Sequence, residues 1–348
     1  MFKKLKVKEV KRETKDAVSI VFDVSAELKE EFNYQSGQYI TLKKDIAGED
    51  VRRAYSLSSA PQENEYRIGV KKINGGKMSS FLHDNLNVGD ELEVMPPEGN
   101  FLLNNVSGHA VGFAAGSGIT PIISMIKTVL QANGTFTLFY VNKTVEDVIF
   151  KNELESIKDR FPNNFILHYI YTREEIGNPL FEGRVTHDKC RELVCLTGDT
   201  LKADGYYLCG PEEMVANITD ALKELGVNEN KIHFELFTVT TKSSEKPVLS
   251  SEFSGQSQVS VIMDGEEFDF ELRGDGDFIL DAAIENGADA PFSCKGAVCC
   301  TCKAKVIEGK AVMEMNYSLS DNEVEEGYIL TCQAHPASER VVVDYDVT

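Results

Sequence analysis

Hydrophobic and polar positions alternate in short runs through the first hundred residues. Val18-Ser19-Ile20-Val21-Phe22 is rich in β-branched side chains, and residues 39–42, 55–58, 66–70 and 91–94 are similar runs, most of them alternating. Gly, Pro and Asn lie between them. Many short strands separated by turn signals predict a small antiparallel β-barrel over residues 1–106. From residue 107 the pattern changes. His109-Ala110-Val111-Gly112-Phe113-Ala114-Ala115 is a buried-strand run, and residues 135–140, 165–171 and 205–209 are further strands. Helical periodicity lies between them, at 121–131, 150–160 and 211–225. This alternation predicts an α/β parallel sheet across 107–237, with ligands at the carboxyl ends of its strands. Residues 238–257 are rich in Thr, Ser and Lys, with weak apolar periodicity, and read as a linker. In 258–348, two alternating strands flank Asp264-Gly265, a helix follows over 278–286, and strands return at 302–308 and 340–347. That order predicts an α+β unit of the β-grasp kind.

Composition narrows the setting. The 348 residues are 42% hydrophobic and 26% charged, an ordinary globular balance. No run of about 18 apolar residues occurs, so no membrane insertion is expected. No apolar stretch follows the basic N-terminus, so no secretory signal is expected either. The net charge of −20 disfavours nucleic acid and anionic membrane as partners. Residues 258–348 hold 19 acidic and 6 basic side chains, which is −13 of that total. Such a surface either steers a basic partner or is simply solvated. Cys190, Cys195, Cys209 and Cys300 show no disulfide framework, and a reducing cytoplasm is expected.

The remaining cysteines carry the strongest signal. Cys294, Cys299 and Cys302 are spaced C-x4-C-x2-C, and residues 303–331 separate them from Cys332. This is the spacing of a plant-type [2Fe–2S] cluster and a poor one for structural zinc. Thiolates are soft ligands suited to iron–sulfur centres. A tight loop through Lys295, Gly296 and Ala297 would point N–H groups at the sulfurs. Cys300, next to a ligand, stands outside the set. A cluster moves one electron at a time, so the rest of the chain must supply a source.

Two barrel motifs exceed what folding needs. Arg53-Ala54-Tyr55-Ser56 offers a guanidinium for a phosphate and an aromatic face for a flat ring. Gly75-Gly76-Lys77-Met78-Ser79 is a glycine turn opening a short helix, whose N–H groups suit a pyrophosphate. Each alone is equally compatible with a chance tetrapeptide or a plain turn. In the sheet, the first strand ends in Gly116-Ser117-Gly118-Ile119-Thr120-Pro121, where the glycines admit a phosphate and Pro121 suits the first helical position. Pro121 stands where G-x-G-x-x-G has its third glycine, so this is not the standard dinucleotide fingerprint. Another strand ends in Cys209-Gly210-Pro211, which by itself reads as a buried cysteine before a helix.

Together with Gly37-Gln38-Tyr39 and Pro97-Glu98-Gly99-Asn100-Phe101, these motifs resemble the ferredoxin–NADP reductase superfamily over nearly the whole chain. The resemblance implies that Arg53 and the helix start at Gly76, Lys77, Met78 and Ser79 hold the FAD pyrophosphate. It implies that Tyr55 packs on the isoalloxazine and that Ser56 lies near flavin N5. Gly116, Gly118, Thr120 and Pro121 would bind the NAD(P) pyrophosphate, and Cys209 would lie beside the nicotinamide, with Gly210 letting the cofactor approach. Glu235 and Phe237 match the family's Glu-x-Phe, although core packing explains Phe234 and Phe237 equally well. Ser56, Cys209 and Glu235 are thus the expected catalytic residues. Arg173 and Lys143 are candidates for a 2′-phosphate, against the reading of both as solvated loop charges. NADPH is expected, with NADH open.

The order FAD, NAD(P), ferredoxin resembles oxygenase reductase components. Val312-Met313-Glu314-Met315-Asn316-Tyr317-Ser318-Leu319 and Gly327-Tyr328-Ile329-Leu330-Thr331-Cys332-Gln333-Ala334 resemble the reductase subunits of phenylacetyl-CoA epoxidase complexes, which feed a separate di-iron oxygenase. The resemblance implies electron flow from NADPH through FAD and [2Fe–2S] to an oxygenase component. A reductase of another oxygenase, hydroxylase or desaturase shares all three modules. A redox-sensing or electron-storing binding protein is the alternative of a different class.

Overall fold

The computed structural model describes residues 2–196, 199–237 and 253–347. The chain divides into two units, with the break after Phe237. The first unit opens with β1 (Lys3–Thr14), β2 (Ala17–Asp23), β3 (Tyr39–Ile46), β4 (Glu49–Ser56), β5 (Tyr66–Lys71), helix α1 (Lys77–Asp84) and β6 (Glu91–Val94). The strands pair antiparallel in the order β4-β3-β6-β1-β2-β5. A bridge from Leu57 to Ile68 joins the two ends of that order and closes the barrel. β1 has no counterpart among the predicted strands. It turns Leu5 and Val7 inward and leaves Lys4, Lys6 and Lys8 in water, so its alternation is carried by two apolar residues among charges. β4 starts earlier than the 55–58 run, because strand pairing takes in Arg52 and Arg53.

The parallel sheet follows: β7 (His109–Ala115), α2 (Ile119–Gln131), β8 (Thr135–Asn142), α3 (Lys151–Arg160), β9 (Phe165–Tyr171), α4 (His187–Cys195), β10 (Gly205–Cys209), α5 (Glu212–Glu224) and β11 (Ile232–Glu235). Its order is β11-β10-β7-β8-β9, every pair parallel. α2 begins at Ile119, which makes Pro121 its third residue and not its first. The missing proline N–H costs nothing there, since first-turn N–H groups have no intrahelical acceptor. α4 was not expected; Thr186 caps it by accepting from the Lys189 N–H at 3.3 Å, and Cys190, Leu193 and Val194 face inward.

Barrel and sheet meet closely. A Cβ on Gly69 of β5 would stand 2.7 Å from Thr120 Cγ2. A buried ionic knot crosses the joint. Lys127 of α2 reaches Glu153 of α3 at 2.6 Å and Glu63 at 3.1 Å. Glu153 also accepts a two-pronged contact from Arg67 of β5, at 2.7 and 2.9 Å. Burial alone would raise the Glu153 carboxyl; Lys127 and Arg67 outweigh it and hold the group below its ordinary range.

The second unit contains β12 (Gln256–Met263), β13 (Glu266–Arg273), α6 (Ile279–Glu285), β14 (Lys303–Glu308), β15 (Ala311–Met313), α7 (Asp321–Glu325), β16 (Tyr328–Leu330), β17 (Ala334–Pro336) and β18 (Arg340–Asp344). Its main sheet runs β13-β12-β18-β14-β16, with β12 and β18 parallel, and β15 pairs with β17. The β12–β13 hairpin turns at Asp264 and Gly265, both at positive φ. β12 starts two residues before the expected domain start at 258. The linker expectation otherwise falls on residues 238–252, outside the described residues. No helix among the described residues is long and apolar enough to cross a membrane.

Candidate functional site

The carboxyl ends of four neighbouring strands assemble one cleft. Cys209 ends β10, the turn Gly116–Gly118 follows β7, Lys143 follows β8, and Thr172-Arg173 follows β9. Gly116 sits at φ +54. A Cβ on Gly118 would lie 2.1 Å from the Cys209 carbonyl oxygen, so glycine there is a packing requirement; one on Gly210 would crowd Met214 Cε, which can swing aside, and Ala115 Cβ at 2.9 Å. Thr120 donates through Oγ1 to the Ser117 carbonyl at 3.0 Å. Pro121, buried in the first turn of α2, supports this turn and offers no donor.

Cations gather around the turn. The Arg173 N–H donates to the Lys143 carbonyl at 2.9 Å, so the two side chains leave from adjoining backbone. Lys71, the last residue of β5, was missing from the sequence candidates. Its Nζ lies 3.5 Å from the place a Gly116 Cβ would take. Burial, then the neighbouring Lys143, lower its pKa. Nothing local marks Lys71, because it reaches the cleft from a different module. Glu174 is spent on structure: its Oε2 accepts from the Val145 N–H at 2.8 Å.

On the barrel side, Ser56 closes β4 and donates through Oγ to Glu235 Oε2 at 3.2 Å. Glu235 pairs in register with Cys209 across β10 and β11. The three expected catalytic residues are thus brought together from two lobes. Part of Glu235 remains accessible, yet its carboxyl lies among protein groups. Burial pushes it up to about 8, against the Ser56 hydrogen bond. Burial, and then Glu235, push the Cys209 thiol well up, so it stays protonated. Tyr55 is half-buried and Arg53 exposed on the same strand. α1 packs against β4, and no side chain caps its N-terminus at Gly76. Its first N–H groups therefore remain for an anion. Lys77 pairs its ammonium with Glu49, so only its backbone is offered. Met78 is buried, and Ser79 Oγ accepts from the Ile73 N–H at 3.2 Å. Core packing does not explain Phe234 and Phe237, which are 44% and 38% exposed.

The cluster loop stands in the second unit. Cys294 and Cys299 sulfurs lie 3.1 Å apart, and Cys302 and Cys332 form a second hydrogen-bonded pair beside Cys299. Among the described residues no three His, Cys, Asp or Glu side chains converge on a single-ion site. Two thiol pairs are what two irons require, each taking two protein sulfurs, so this donor set fits a [2Fe–2S] cluster. Lys295 and Ala297 adopt φ +50 and +59, and the Gly296 N–H donates to Cys294 Sγ at 3.3 Å. Carbonyls of the same loop are held away: Gln333 donates to Lys295 O, Tyr317 N–H to Ala297 O, and Ser318 Oγ to Cys299 O. Cys300 donates to the Ser318 carbonyl at 3.5 Å, outside both pairs.

Comparison with known proteins accords with this geometry. Residues 4–102 match the family "Oxidoreductase FAD-binding domain", 113–220 the "Oxidoreductase NAD-binding domain", and 261–337 the "2Fe-2S iron-sulfur cluster binding domain". The chain is 39% identical to one of the proteins that make up the 1,2-phenylacetyl-CoA epoxidase of Escherichia coli (strain K12), over 99% of this chain and 98% of that protein. It is 32% identical to the ferredoxin reductase component of 3-ketosteroid-9-alpha-monooxygenase of Rhodococcus rhodochrous, over 98% and 96%. Phthalate dioxygenase reductase superposes with a TM-score of 0.63 at 23% identity, over 99% of this chain and 98% of that one, which speaks to the fold alone. The FAD/NAD-binding domain of nitric oxide dioxygenase from Vibrio cholerae O1 biovar El Tor matches 67% of this chain and 98% of its own at 28% identity and a TM-score of 0.58. With its flavin, nicotinamide and iron–sulfur modules in that order, the chain belongs to the oxygenase reductase components of the ferredoxin–NADP reductase superfamily.

Proposed function

We propose that this reductase draws its electrons from NADPH and serves, in the cytoplasm, a di-iron oxygenase of the phenylacetyl-CoA epoxidase kind. One observation carries the choice of NADPH. Lys143 and Arg173 leave adjoining backbone at the ends of β8 and β9, while the nearest acid, Glu174, is consumed by a backbone N–H. Two cations at adjoining strand ends suit a 2′-phosphate, while the Glu174 carboxylate that follows is turned to the Val145 N–H; a ribose diol would call for an acid in place of Arg173. The partner rests on the 39% identity that runs the full length of the chain.

In this reading the dinucleotide would run across the strand ends in strand order. Strands stand about 4.8 Å apart. The nicotinamide end falls at Cys209 on β10, the pyrophosphate over the turn after β7, and the 2′-phosphate between Lys143 and Arg173. Lys71 adds positive charge at the turn. Gly210 keeps the path over β10 clear. Across the joint, Tyr55 offers its ring face, Ser56 and Glu235 line the reacting end, and Arg53 with the open start of α1 takes a flavin pyrophosphate. Phe237, exposed at the end of the unit, is available to cover the ring. These groups orient the two rings and exclude water; none needs to move a proton for hydride transfer. When bound, the flavin accepts a hydride as an electron pair and releases electrons singly, and the cluster carries them one at a time.

The test compares nucleotides. Arg173→Ala should raise KM for NADPH by about tenfold or more, the worth of a charge-assisted contact, and leave NADH nearly unchanged. A wild type that prefers NADH refutes the NADPH reading. Capture from native extract should bring down a di-iron oxygenase; an oxygenase without a di-iron site refutes the partner.

A further inference from the structure

Tyr140 lies on β8, fully buried in the core shared with α2 and α3. Its hydroxyl crosses to the neighbouring strand end and donates to the Gly116 carbonyl at 2.9 Å, with the Ile149 carbonyl further away at 3.4 Å. Gly116 is the first residue of the turn, at φ +54. In a planar trans peptide the C=O and the following N–H point in opposite directions. The same carbonyl also accepts the Ile119 N–H of the turn. The two donors together hold the Gly116 carbonyl inward, which turns the Ser117 N–H the other way, out towards the cleft. Thr120 acts the same way one peptide later, donating to the Ser117 carbonyl at 3.0 Å and so orienting the Gly118 N–H.

We infer that Tyr140 is a positioning residue for nucleotide binding: its buried hydroxyl, added to the Ile119 N–H on the same carbonyl, fixes the rotation of the Gly116–Ser117 peptide and thereby aims the Ser117 N–H at the nucleotide diphosphate. Tyr140 never touches the nucleotide. The inference rests on the nucleotide reading of the cleft. It concerns the diphosphate, which NADPH and NADH share, so it is independent of the 2′-phosphate. A group acting on a bound anion this way changes how tightly the nucleotide is held and leaves the reacting rings alone.

The sheet supplies its own control. Tyr206 is equally buried, on β10, and its hydroxyl donates to the Thr200 carbonyl at 2.7 Å. It sits on the face of β10 opposite Cys209. Tyr140→Phe and Tyr206→Phe remove the same atom from the same sheet, so a general loss of stability would appear in both. The flavin-loaded full chain is assayed by steady-state reduction of ferricyanide with NADPH and with NADH. Tyr140→Phe should raise KM about threefold to tenfold for both nucleotides, the range for one lost hydrogen bond, with kcat within about twofold. Tyr206→Phe should leave KM unchanged. An unshifted KM in Tyr140→Phe, or an equal rise in Tyr206→Phe, overturns the inference. Should Tyr140→Phe fail to load flavin, Thr120→Val tests the adjoining peptide. It keeps the methyl that packs on Gly69 and loses the hydroxyl; an unchanged KM there overturns the inference. A wild type that neither nucleotide reduces with saturation refutes the nucleotide reading itself, and this inference with it.

Discussion

The turn at 116–118 and the loop at 294–302 solve one problem with different materials. Both draw carbonyls away with side-chain or backbone donors, Tyr140 from a neighbouring strand and the local Thr120 in the first, Gln333, Tyr317 and Ser318 in the second. Both thereby free N–H groups to face negative charge. The turn takes its positive φ at Gly116, where it costs nothing; the loop takes it at Lys295 and Ala297, where side chains resist it. In the loop, an N–H already meets a sulfur of the same chain, from Gly296 to Cys294. The turn is relaxed, as would suit a receptor for something that must leave. The loop is strained, and its ligands are part of the fold, as suits a resident group.

The comparison breaks most severely at a ligand. Cys332→Ser should abolish cluster absorption and electron delivery to cytochrome c, while nucleotide-driven ferricyanide reduction persists; unchanged absorption would remove Cys332 from the donor set. Next comes Gly118→Ala. Its Cβ would stand 2.1 Å from the Cys209 carbonyl oxygen, so backbone must move. A loss of about 1–3 kcal/mol in thermal or urea unfolding, with most nucleotide turnover gone, is expected.

How far were these two loops legible in the sequence? The cysteine spacing announced its chemistry because three of four ligands lie within nine residues, and local ligation writes itself into local sequence. The Gly116–Pro121 motif was legible for the same reason, though α2 starting at Ile119 displaced Pro121 from the first helical position. Lys71 and Tyr140 were invisible. One ends an ordinary strand and the other sits mid-strand, and only the meeting of distant elements gives either a role. For Phe237 the sequence left core packing and the family's site position equally open, and its exposure speaks against the first. β1 escaped notice because its lysines hide a two-residue apolar face.

A smaller effect separates the loops by pH. Burial holds Glu235, beside Cys209 and Ser56, at about 8, against its usual 4.5. Its neutral form dominates at pH 7. Flavin reduction by NAD(P)H should slow as pH rises through about 8, where an anion develops beside Ser56, and Glu235→Gln should flatten that limb in stopped-flow traces. The sign for stability agrees. A raised folded pKa contributes fully below the ordinary carboxylate range, and the contribution fades as pH climbs to about 8. Smallest is the difference between Lys295→Gly and Lys295→Ala, which both lose the ammonium paired with Asp281 at 2.7 Å and differ in the left-handed side chain; the glycine variant should be the more stable by about 1 kcal/mol or less in a thermal melt. An alanine variant at least as stable as the glycine one would mean that the φ of Lys295 is not a strain at all.

The ionic knot of Lys127, Glu153 and Arg67 bears on how such proteins are inherited. A recombination event near residue 106 would give Arg67 and Glu63 one ancestor and Glu153 and Lys127 another, breaking both partly buried pairs that cross the joint at a cost of about 1–3 kcal/mol. Barrel and sheet should therefore descend as one piece, and chimaeras that exchange only one of them should lose stability unless all four residues are matched.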